Sequence, residues 1–317
     1  MSATTAVGLA VAWPLFAVAL IAVFQRWPNL RETGTLLTGG SLFAIVAGVI
    51  LPAVQAGGRP RFDLFEVLPG LELAFEVEPL GMLFGLVASG LWIVTTFYSI
   101  GYMRGHHEDN QTRFYICFAI AISGALGVAF AANVFTLFVF YELITLSTFP
   151  LVTHAGTDKA RNAGRLYLGI LMGTSIAFLL LALVWTWLAT GTTEFTPGGI
   201  LAGKVEGTPL MVLLALYAFG TGKAALMPFH RWLPAAMVAP TPVSALLHAV
   251  AVVKAGAFGV VRLVYDVYGI ETAQSLGVLR PLAMLAGFTI VYGSVRALFQ
   301  DELKKRLAYS TVSQVSY

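Results

Sequence analysis

Residues 220–256 read GTGKAALMPFHRWLPAAMVAPTPVSALLHAVAVVKAG, and this stretch decides the fold class. It places two lysines, two histidines and four prolines in a segment that is otherwise almost entirely apolar. Long hydrophobic runs lie on both sides of it. An amine is costly inside a bilayer, and a proline in a spanning helix removes a backbone hydrogen bond. A chain that keeps both in one place is expected to use them for chemistry.

The composition predicts that lipid is the solvent of this chain. Of the 317 residues, 58% are hydrophobic and 11% are charged, whereas soluble domains have roughly 25% charged residues. The net charge of +3 is small, and no basic patch with interleaved aromatic residues favours a nucleic-acid partner. The single cysteine, Cys117, excludes an intrachain disulfide and a cysteine metal cluster. The first apolar run has no positive charge before it, which favours a mature span over a cleaved signal peptide.

Ten hydrophobic stretches are candidate membrane spans, since a span needs about 20 mostly apolar residues. They are residues 7–24, 36–54, 80–99, 114–131, 134–152, 166–188, 209–234, 242–265, 275–299 and, as the start of the tenth, 303–317. The prediction is an all-α, polytopic membrane protein with about ten transmembrane helices. Residues 64–77 alternate around Pro69 and Gly70, which predicts a short hairpin outside the lipid. Because the chain stops inside a hydrophobic run, we expect a C-terminally truncated chain or a split gene.

The basic residues predict the orientation of the spans. Of the 19 lysines and arginines, twelve lie in connections after odd-numbered spans and five lie on the other side. The remaining two, Lys223 and Lys254, lie within spans. Basic residues concentrate on the cytoplasmic side of membrane proteins. We therefore expect the N-terminus outside and a multi-pass protein of the bacterial inner (plasma) membrane.

Glu142 and Lys223 lie well inside predicted spans and are candidates for function by default. Glu142 is the only carboxylate deep within a span; the structural alternative is a hydrogen bond with Tyr141 or Ser147. Lys223 precedes Pro228, which should break the seventh helix near residues 226–231. Broken helices at membrane depth line polar cavities and frame ion sites in transporters. The alternative for Lys223 is an amine that extends to the interface.

The eighth span carries Lys254 near its middle and His248 six residues earlier. On a straight helix that spacing is about 240°, so the two would lie on different faces unless the helix is locally rewound. His248 is equally compatible with a satisfied core histidine, and His230 is expected at the interface. The row Glu142, Lys223, His248 and Lys254 predicts a proton relay, because a nearby carboxylate stabilises the charged amine while burial destabilises it.

No cofactor or metal site is expected. His106, His107, Glu108 and Asp109 are consecutive in a loop, which suits solvated polar residues better than convergent ligands. No phosphate-binding loop, nucleophile elbow or haem motif is present. The chain is not expected to be catalytic on its own, although it could belong to a redox-driven translocase complex.

The segment GKAALMPFHRWLPAAMVAPTPVSALLHAVAVVKAG closely resembles the motif of the antiporter-like membrane subunits. Respiratory complex I, membrane-bound hydrogenases and Mrp-type multisubunit sodium/proton antiporters share these subunits. NVFTLFVFYELITLSTFPLV resembles their fifth helix, and DELKKRLAYSTVSQVSY resembles the start of their tenth. With a lysine at position 254, the chain looks more like the D-type component of Mrp antiporters and its complex I relatives than like the longest antiporter-like component of complex I.

The resemblance implies two inverted five-helix repeats, formed by helices four to eight and nine to thirteen. It divides this chain into three N-terminal helices with the hairpin (1–112), one proton half-channel (113–265) and an incomplete second repeat (266–317). It also implies that Glu142, Lys223 and Lys254 are the relay residues, that His248 joins them, and that the seventh helix is broken at Pro228.

The leading hypothesis is a subunit that translocates protons, or cations and protons, in a multisubunit Mrp-type antiporter. Its partners would be other membrane subunits and the lipid bilayer, with Na+ as a second ion left open. The alternatives are a proton-pumping subunit of an NADH:quinone oxidoreductase or hydrogenase, and a membrane partner in inorganic-carbon uptake. A purely structural scaffold is disfavoured, because it has no reason to carry such charges in lipid.

Overall fold

A computed structural model describes residues 1–275, 277 and 279–317, and most of them are helical. The helices that we number are α1 (Ala3–Val23), α2 (Pro28–Gln55), α3 (Pro79–Gly105), α4 (Gln111–Ala129), α5 (Val134–Val152), α6 (Asp158–Thr190), α7 (Thr208–Gly220), α8 (Thr241–Tyr268), α9 (Leu279–Leu298) and α10 (Leu303–Val315). Within the described residues, eight of them are long and apolar enough to cross a membrane. The other two, α7 and α10, have 13 residues each. The chain is therefore a polytopic helical membrane protein, and the predicted count of about ten is reached only by including these two short helices.

Three helices begin at side chains that cap their first turn. Ser2, Asn133 and Thr157 each accept a hydrogen bond from the backbone N–H three residues later, at the starts of α1, α5 and α6. These bonds satisfy N–H groups that have no partner within the helix. The cap at Asn133 also accompanies the sharp turn between α4 and α5, so it helps to set where α5 enters the bundle.

The core lies around α4, in which 14 of 19 residues are buried, a larger buried share than in any other candidate span of the described residues. It packs against α1, α3 and α5. The approach to α5 is close at Gly127, where an added Cβ would lie 2.1 Å from the ring of Phe140. Close packing of this kind fixes side chains in single positions. The polar residues of α5 are therefore held by a rigid neighbour.

The hairpin is formed by β1 (Arg61–Leu68) and β2 (Leu71–Glu76), which pair antiparallel. It begins at Arg61, three residues before the predicted start, and turns at Gly70 with a φ of 75°. Arg61 pairs with Glu194 at 2.8 Å and with Asp63 at 2.7 Å. The hydrogen bond with Glu194 is the main cause that raises the pKa of Arg61 above its ordinary value. The hairpin is thus tied by charge to the connection that follows α6.

The same side of the bundle anchors the end of α8. Arg262 is 4% exposed and pairs with Glu78, the residue before α3, and with Asp266 at 3.1 Å. Arg59, just before β1, pairs with Glu78 at 2.9 Å. A chain of ion pairs therefore joins the hairpin, the start of α3 and the end of α8.

The seventh span differs from its prediction. The sequence predicted one span over residues 209–234 that breaks near residues 226–231, but α7 ends at Gly220. Pro228 cannot donate to Ala224, and its ring clashes with that carbonyl in a helix, so helical structure cannot continue through this position. Ala225 has a positive φ of 56°. The break therefore includes Lys223 instead of following it.

Candidate functional site

Lys223 lies in the unwound segment between α7 and the short helices that follow. It is the middle residue of a single 3-10 turn, Gly222–Ala224, and it is fully buried. Its backbone N–H donates to the hydroxyl of Tyr141 at 3.1 Å, and the indole N–H of Trp232 donates to the carbonyl of Gly222 at 3.0 Å. Unpaired backbone groups are costly in an apolar interior. Two aromatic side chains therefore stabilise the break.

The amine of Lys223 lies between an aromatic ring and a carboxylate, both from α5. Its Nζ is 3.3 Å from the ring centroid of Tyr141 and 3.9 Å from Oε1 of Glu142. The ring face attracts the ammonium group, whereas the distance to the carboxylate is too long for a hydrogen bond. Among the described residues, the amine and both oxygens of Glu142 have no hydrogen-bond partner. Charge alone joins the pair, so a proton moves between them only through water or after a displacement of about 1 Å.

Glu142 does not form the hydrogen bond with Tyr141 or Ser147 that was the structural alternative for it. The hydroxyl of Ser147 donates to the carbonyl of Ile144 at 3.1 Å, and the hydroxyl of Tyr141 accepts from Lys223. Neither hydroxyl bonds to the carboxylate. Glu142 is thus positioned toward the lysine, with its side chain 13% exposed.

Two buried hydroxyl groups bond to each other farther along α5. The hydroxyls of Thr148, on α5, and Tyr167, on α6, are 2.6 Å apart, and both residues are fully buried. The ring of Tyr167 lies edge-on to Trp232 at 5.5 Å. Sequence reasoning treated Tyr141 only as a partner of Glu142, and it missed Tyr167. The sequence does contain one indication that Tyr141 contacts Lys223: it directly precedes Glu142, the one carboxylate deep within a predicted span.

Gly256 of α8 lies against the backbone of the unwound segment. A Cβ added there would be 2.2 Å from the nitrogen of Ala224 and 2.4 Å from the carbonyl carbon of Lys223. Only a residue without a side chain permits this approach. The position of the lysine is therefore set by α8 as well as by α5.

His248 lies on α8 in a π-helical turn, Leu246–Val250, so the helix is locally rewound there. Its Nδ1 is 3.0 Å from the hydroxyl of Thr311 on α10, and its Nε2 is 3.2 Å from the sulfur of Met237. The histidine therefore faces α10 and the segment after the break. Its two ring nitrogens are already engaged there, so the structure does not join it directly to Lys223.

Lys254 is exposed and lies on another face of α8. It borders a groove of about 300 Å³ between α3 and α8, whose other lining residues are Leu80, Leu83, Phe84, Val87, Ala257, Phe258 and Val261. No carboxylate lines this groove in the part of the chain that the structure describes. The structure therefore brings Glu142 and Lys223 together, while Lys254 opens away from them.

Two further histidines lie apart from this pair. His230, predicted at the interface, is 4% exposed because the segment after the break folds back into the bundle. His154 is buried at the end of α5, 3.8 Å from Glu108. Burial, and then Arg113, lowers the pKa of His154, so its ring is neutral at pH 7. Over residues 1–275, 277 and 279–317 there is no cluster of three metal-binding side chains.

Comparison with known proteins identifies the family. The family model described as NADH:quinone oxidoreductase/Mrp antiporter, TM, matches residues 131–317, more than half of the chain. The chain belongs to this family. The match contains Glu142 and the whole of residues 220–256.

Two relatives of this family member are named as parts of larger complexes. The Putative antiporter subunit mnhA2 of Staphylococcus haemolyticus is 32% identical over 86% of this chain and 34% of its own length. The NAD(P)H-quinone oxidoreductase chain 5 of a Picosynechococcus strain is 31% identical over 96% of this chain and 46% of its own length. The chain thus spans between a third and a half of these relatives. The first relative is named as antiporter subunit mnhA2 and the second as chain 5. The sequence motif had instead predicted a resemblance to the D-type component.

Two solved structures share the fold of this family member. A chain of the Mrp complex from Dietzia sp. DQ12-45-1b superposes with a TM-score of 0.79 and 30% identity, over 98% of this chain and 33% of that chain. A chain of the membrane-bound sulfane sulfur reductase, an archaeal respiratory membrane complex, superposes with a TM-score of 0.84, over 98% of this chain and 63% of that chain. At 24% identity, the second match shows the fold alone.

Proposed function

We propose that this chain is a proton-translocating membrane subunit of a multisubunit Mrp-type antiporter or related complex, and that Glu142 and Lys223 are the groups that exchange the proton. The observation that carries the proposal is the buried pair itself, with 3.9 Å between carboxylate and amine. Ionisable residues in membrane proteins that face the bundle interior mark ion pathways. The family membership supports cation or proton translocation as the coarser function.

The chemistry follows from the geometry of the pair. A charged Glu142 stabilises the ammonium form of Lys223, with help from the ring of Tyr141. When the carboxylate is neutralised or moves away, the buried amine loses that stabilisation and releases its proton. His248 and Lys254, both on α8, are the further stations in this proposal. They face different sides of α8. His248 would pass a proton toward α10, and Lys254 would do so toward the groove beside α3.

The side of the membrane to which Lys223 opens in this proposal rests on the distribution of basic residues. The count predicts an N-terminus outside, in a bacterial inner membrane. With that orientation α7 runs inward, so the break at Lys223 faces the cytoplasmic half of the bilayer. Lys223 would therefore exchange its proton with the cytoplasmic side.

Proton transport by variants of the complete assembly tests this proposal. In everted membrane vesicles, Lys223→Ala and Glu142→Ala should each reduce proton uptake at least about tenfold while the assembly persists. Lys204→Ala removes an exposed lysine whose amine is 3.5 Å from the carbonyl of Thr190, outside the spans, and should leave uptake unchanged. Uptake at the wild-type rate in Lys223→Ala would contradict the proposal.

A second candidate function is proton pumping driven by a redox reaction. The relative named NAD(P)H-quinone oxidoreductase chain 5 favours it, because it matches 96% of this chain. The proteins that copurify with the chain distinguish the two functions. Partners with flavin or iron–sulfur absorbance and quinone reductase activity favour the redox complex, whereas purely membrane-embedded partners favour the antiporter.

A further inference from the structure

A cavity of about 670 Å³ opens between α9, α10 and the segment that follows the break. Three cationic side chains line it: Arg231, Arg296 and Lys305. Its lining among the described residues includes no aspartate or glutamate. The cavity is therefore strongly positive.

Little in the described part of the chain neutralises these charges. Arg231 and Arg296 form no ion pair there, and Lys305 pairs with the exposed Glu302, at 2.9 Å. His230 also borders the cavity; it is 4% exposed, and its Nδ1 has no hydrogen-bond partner among the described residues. Guanidinium groups and ring N–H groups suit the oxygens of a phosphate. The cavity thus has the donors of a phosphate site but no acid of its own.

The cavity also lies beside the end of one apolar helix and the start of the next, which is where lipid headgroups are expected. Arg296 is in the last turn of α9, and Lys305 is in the first turn of α10. Both helices end or begin next to the cavity, as expected where a span leaves the hydrocarbon. Four apolar side chains within three residues of Arg296 or Lys305 in the chain are exposed, namely Val295, Leu298, Phe299 and Leu303. A ligand with an anionic head and apolar chains meets both surfaces, whereas a free phosphate meets only the first.

We infer that this cavity binds the phosphate of an anionic phospholipid, with the acyl chains along the exposed apolar surface of α9. Basic pockets between transmembrane helices hold such headgroups in other membrane proteins. The site is separate from the Glu142–Lys223 pair and does not depend on the role of that pair in transport. It adjoins the break, since Met227 and Pro228 also line the cavity.

Lipid retention by cavity variants tests the site. The chain is purified in its assembly, and bound phospholipid is measured by native mass spectrometry after incubation with phosphatidylglycerol or phosphatidylcholine. Wild type should retain phosphatidylglycerol at least about tenfold better than the double variant Arg231→Gln with Arg296→Gln. The control, Arg26→Gln with Lys204→Gln, removes two exposed cations elsewhere and should match wild type. Equal retention by the cavity variant and the control overturns the inference.

Two further measurements distinguish a phospholipid from free phosphate as the bound anion. Millimolar inorganic phosphate should not displace the lipid; full displacement would assign the site to free phosphate and overturn the lipid inference. A photoreactive p-benzoylphenylalanine at Gln300, which lines the cavity and leaves all its cations intact, should form an adduct with phospholipid. An adduct with a partner subunit in place of lipid would also overturn it. The thermal midpoint of each variant checks that loss of lipid is not loss of fold.

Discussion

Lys223 and Lys254 are both single amines in apolar segments, but they lie in opposite surroundings. Lys223 is fully buried, on the ring of Tyr141 and 3.9 Å from Glu142. Lys254 is exposed, beside a groove lined by leucine, valine and phenylalanine. The difference teaches that packing within the described part of the chain supplies a counter-charge for Lys223 but not for Lys254. A charge without one needs water, lipid headgroups or another protein.

The largest expected effect is on the free energy of unfolding, which should fall much more when Lys223 is replaced than when Lys254 is replaced. Lys223→Leu leaves the buried carboxylate of Glu142 without its cation, and loss of one partner of a buried pair costs about 3–5 kcal/mol. Lys254→Leu removes an exposed charge from an apolar groove, and we expect a change of less than about 1 kcal/mol. Thermal unfolding in detergent measures both. Equal destabilisation by the two substitutions would remove the contrast between the sites.

The contact between α8 and the unwound segment gives the next effect. At Gly256→Ala the new methyl group would meet backbone atoms of Lys223 and Ala224, which cannot rotate away, so we expect a loss of about 1–3 kcal/mol. Gly259→Ala is the matched control on the same helix. Its Cβ would be 3.6 Å from Thr221, an ordinary contact, and alanine favours a helix over glycine. The same unfolding measurement should show no loss for Gly259→Ala; a similar loss in both variants would mean that α8 is not tightly seated at Gly256.

The smallest expected effect concerns the ring of Tyr141, which contacts Lys223 and has no counterpart at Lys254. Tyr141→Phe keeps the aromatic face over the amine but removes the hydroxyl that accepts from the N–H of Lys223. We expect a loss of about 1 kcal/mol in unfolding free energy and proton uptake within about threefold of wild type. Tyr141→Leu also removes the ring and should lower uptake further. If phenylalanine and leucine behave alike in vesicle uptake, the ring has no role in holding the ammonium group.

Much of the architecture could be predicted because lipid imposes simple rules on a sequence. The hydrophobic runs located α1 to α6, α8 and α9, and the alternation around Gly70 located the hairpin. The length of α7 could not be predicted, because a proline shows where a helix cannot continue but not how far the unwinding extends. The unwound segment packs against Gly256, a residue 28 positions beyond Pro228 in the chain, and this contact is not visible in the local sequence.

The candidate site could be predicted only in part, for a related reason. Glu142 and Lys223 were selected because charges are rare in spans, and rarity is visible in a sequence. Lys254 has the same rarity, so the sequence could not reveal that it faces outward. Which face of α8 is buried depends on the π-helical turn Leu246–Val250 and on packing against α3 and α10.

The two aromatic residues at the break have a consequence for hydration. Tyr141 and Trp232 already bond the N–H of Lys223 and the carbonyl of Gly222. Water that reaches these two backbone groups finds them already paired, whereas the carboxylate of Glu142 and the amine of Lys223 have no hydrogen-bond partner among the described residues and would hold it. Its residence then follows the charge of those two side chains. Under the proposed function, the segment holds more water when the two side chains are charged than when both are neutral, because charged groups bind water more strongly.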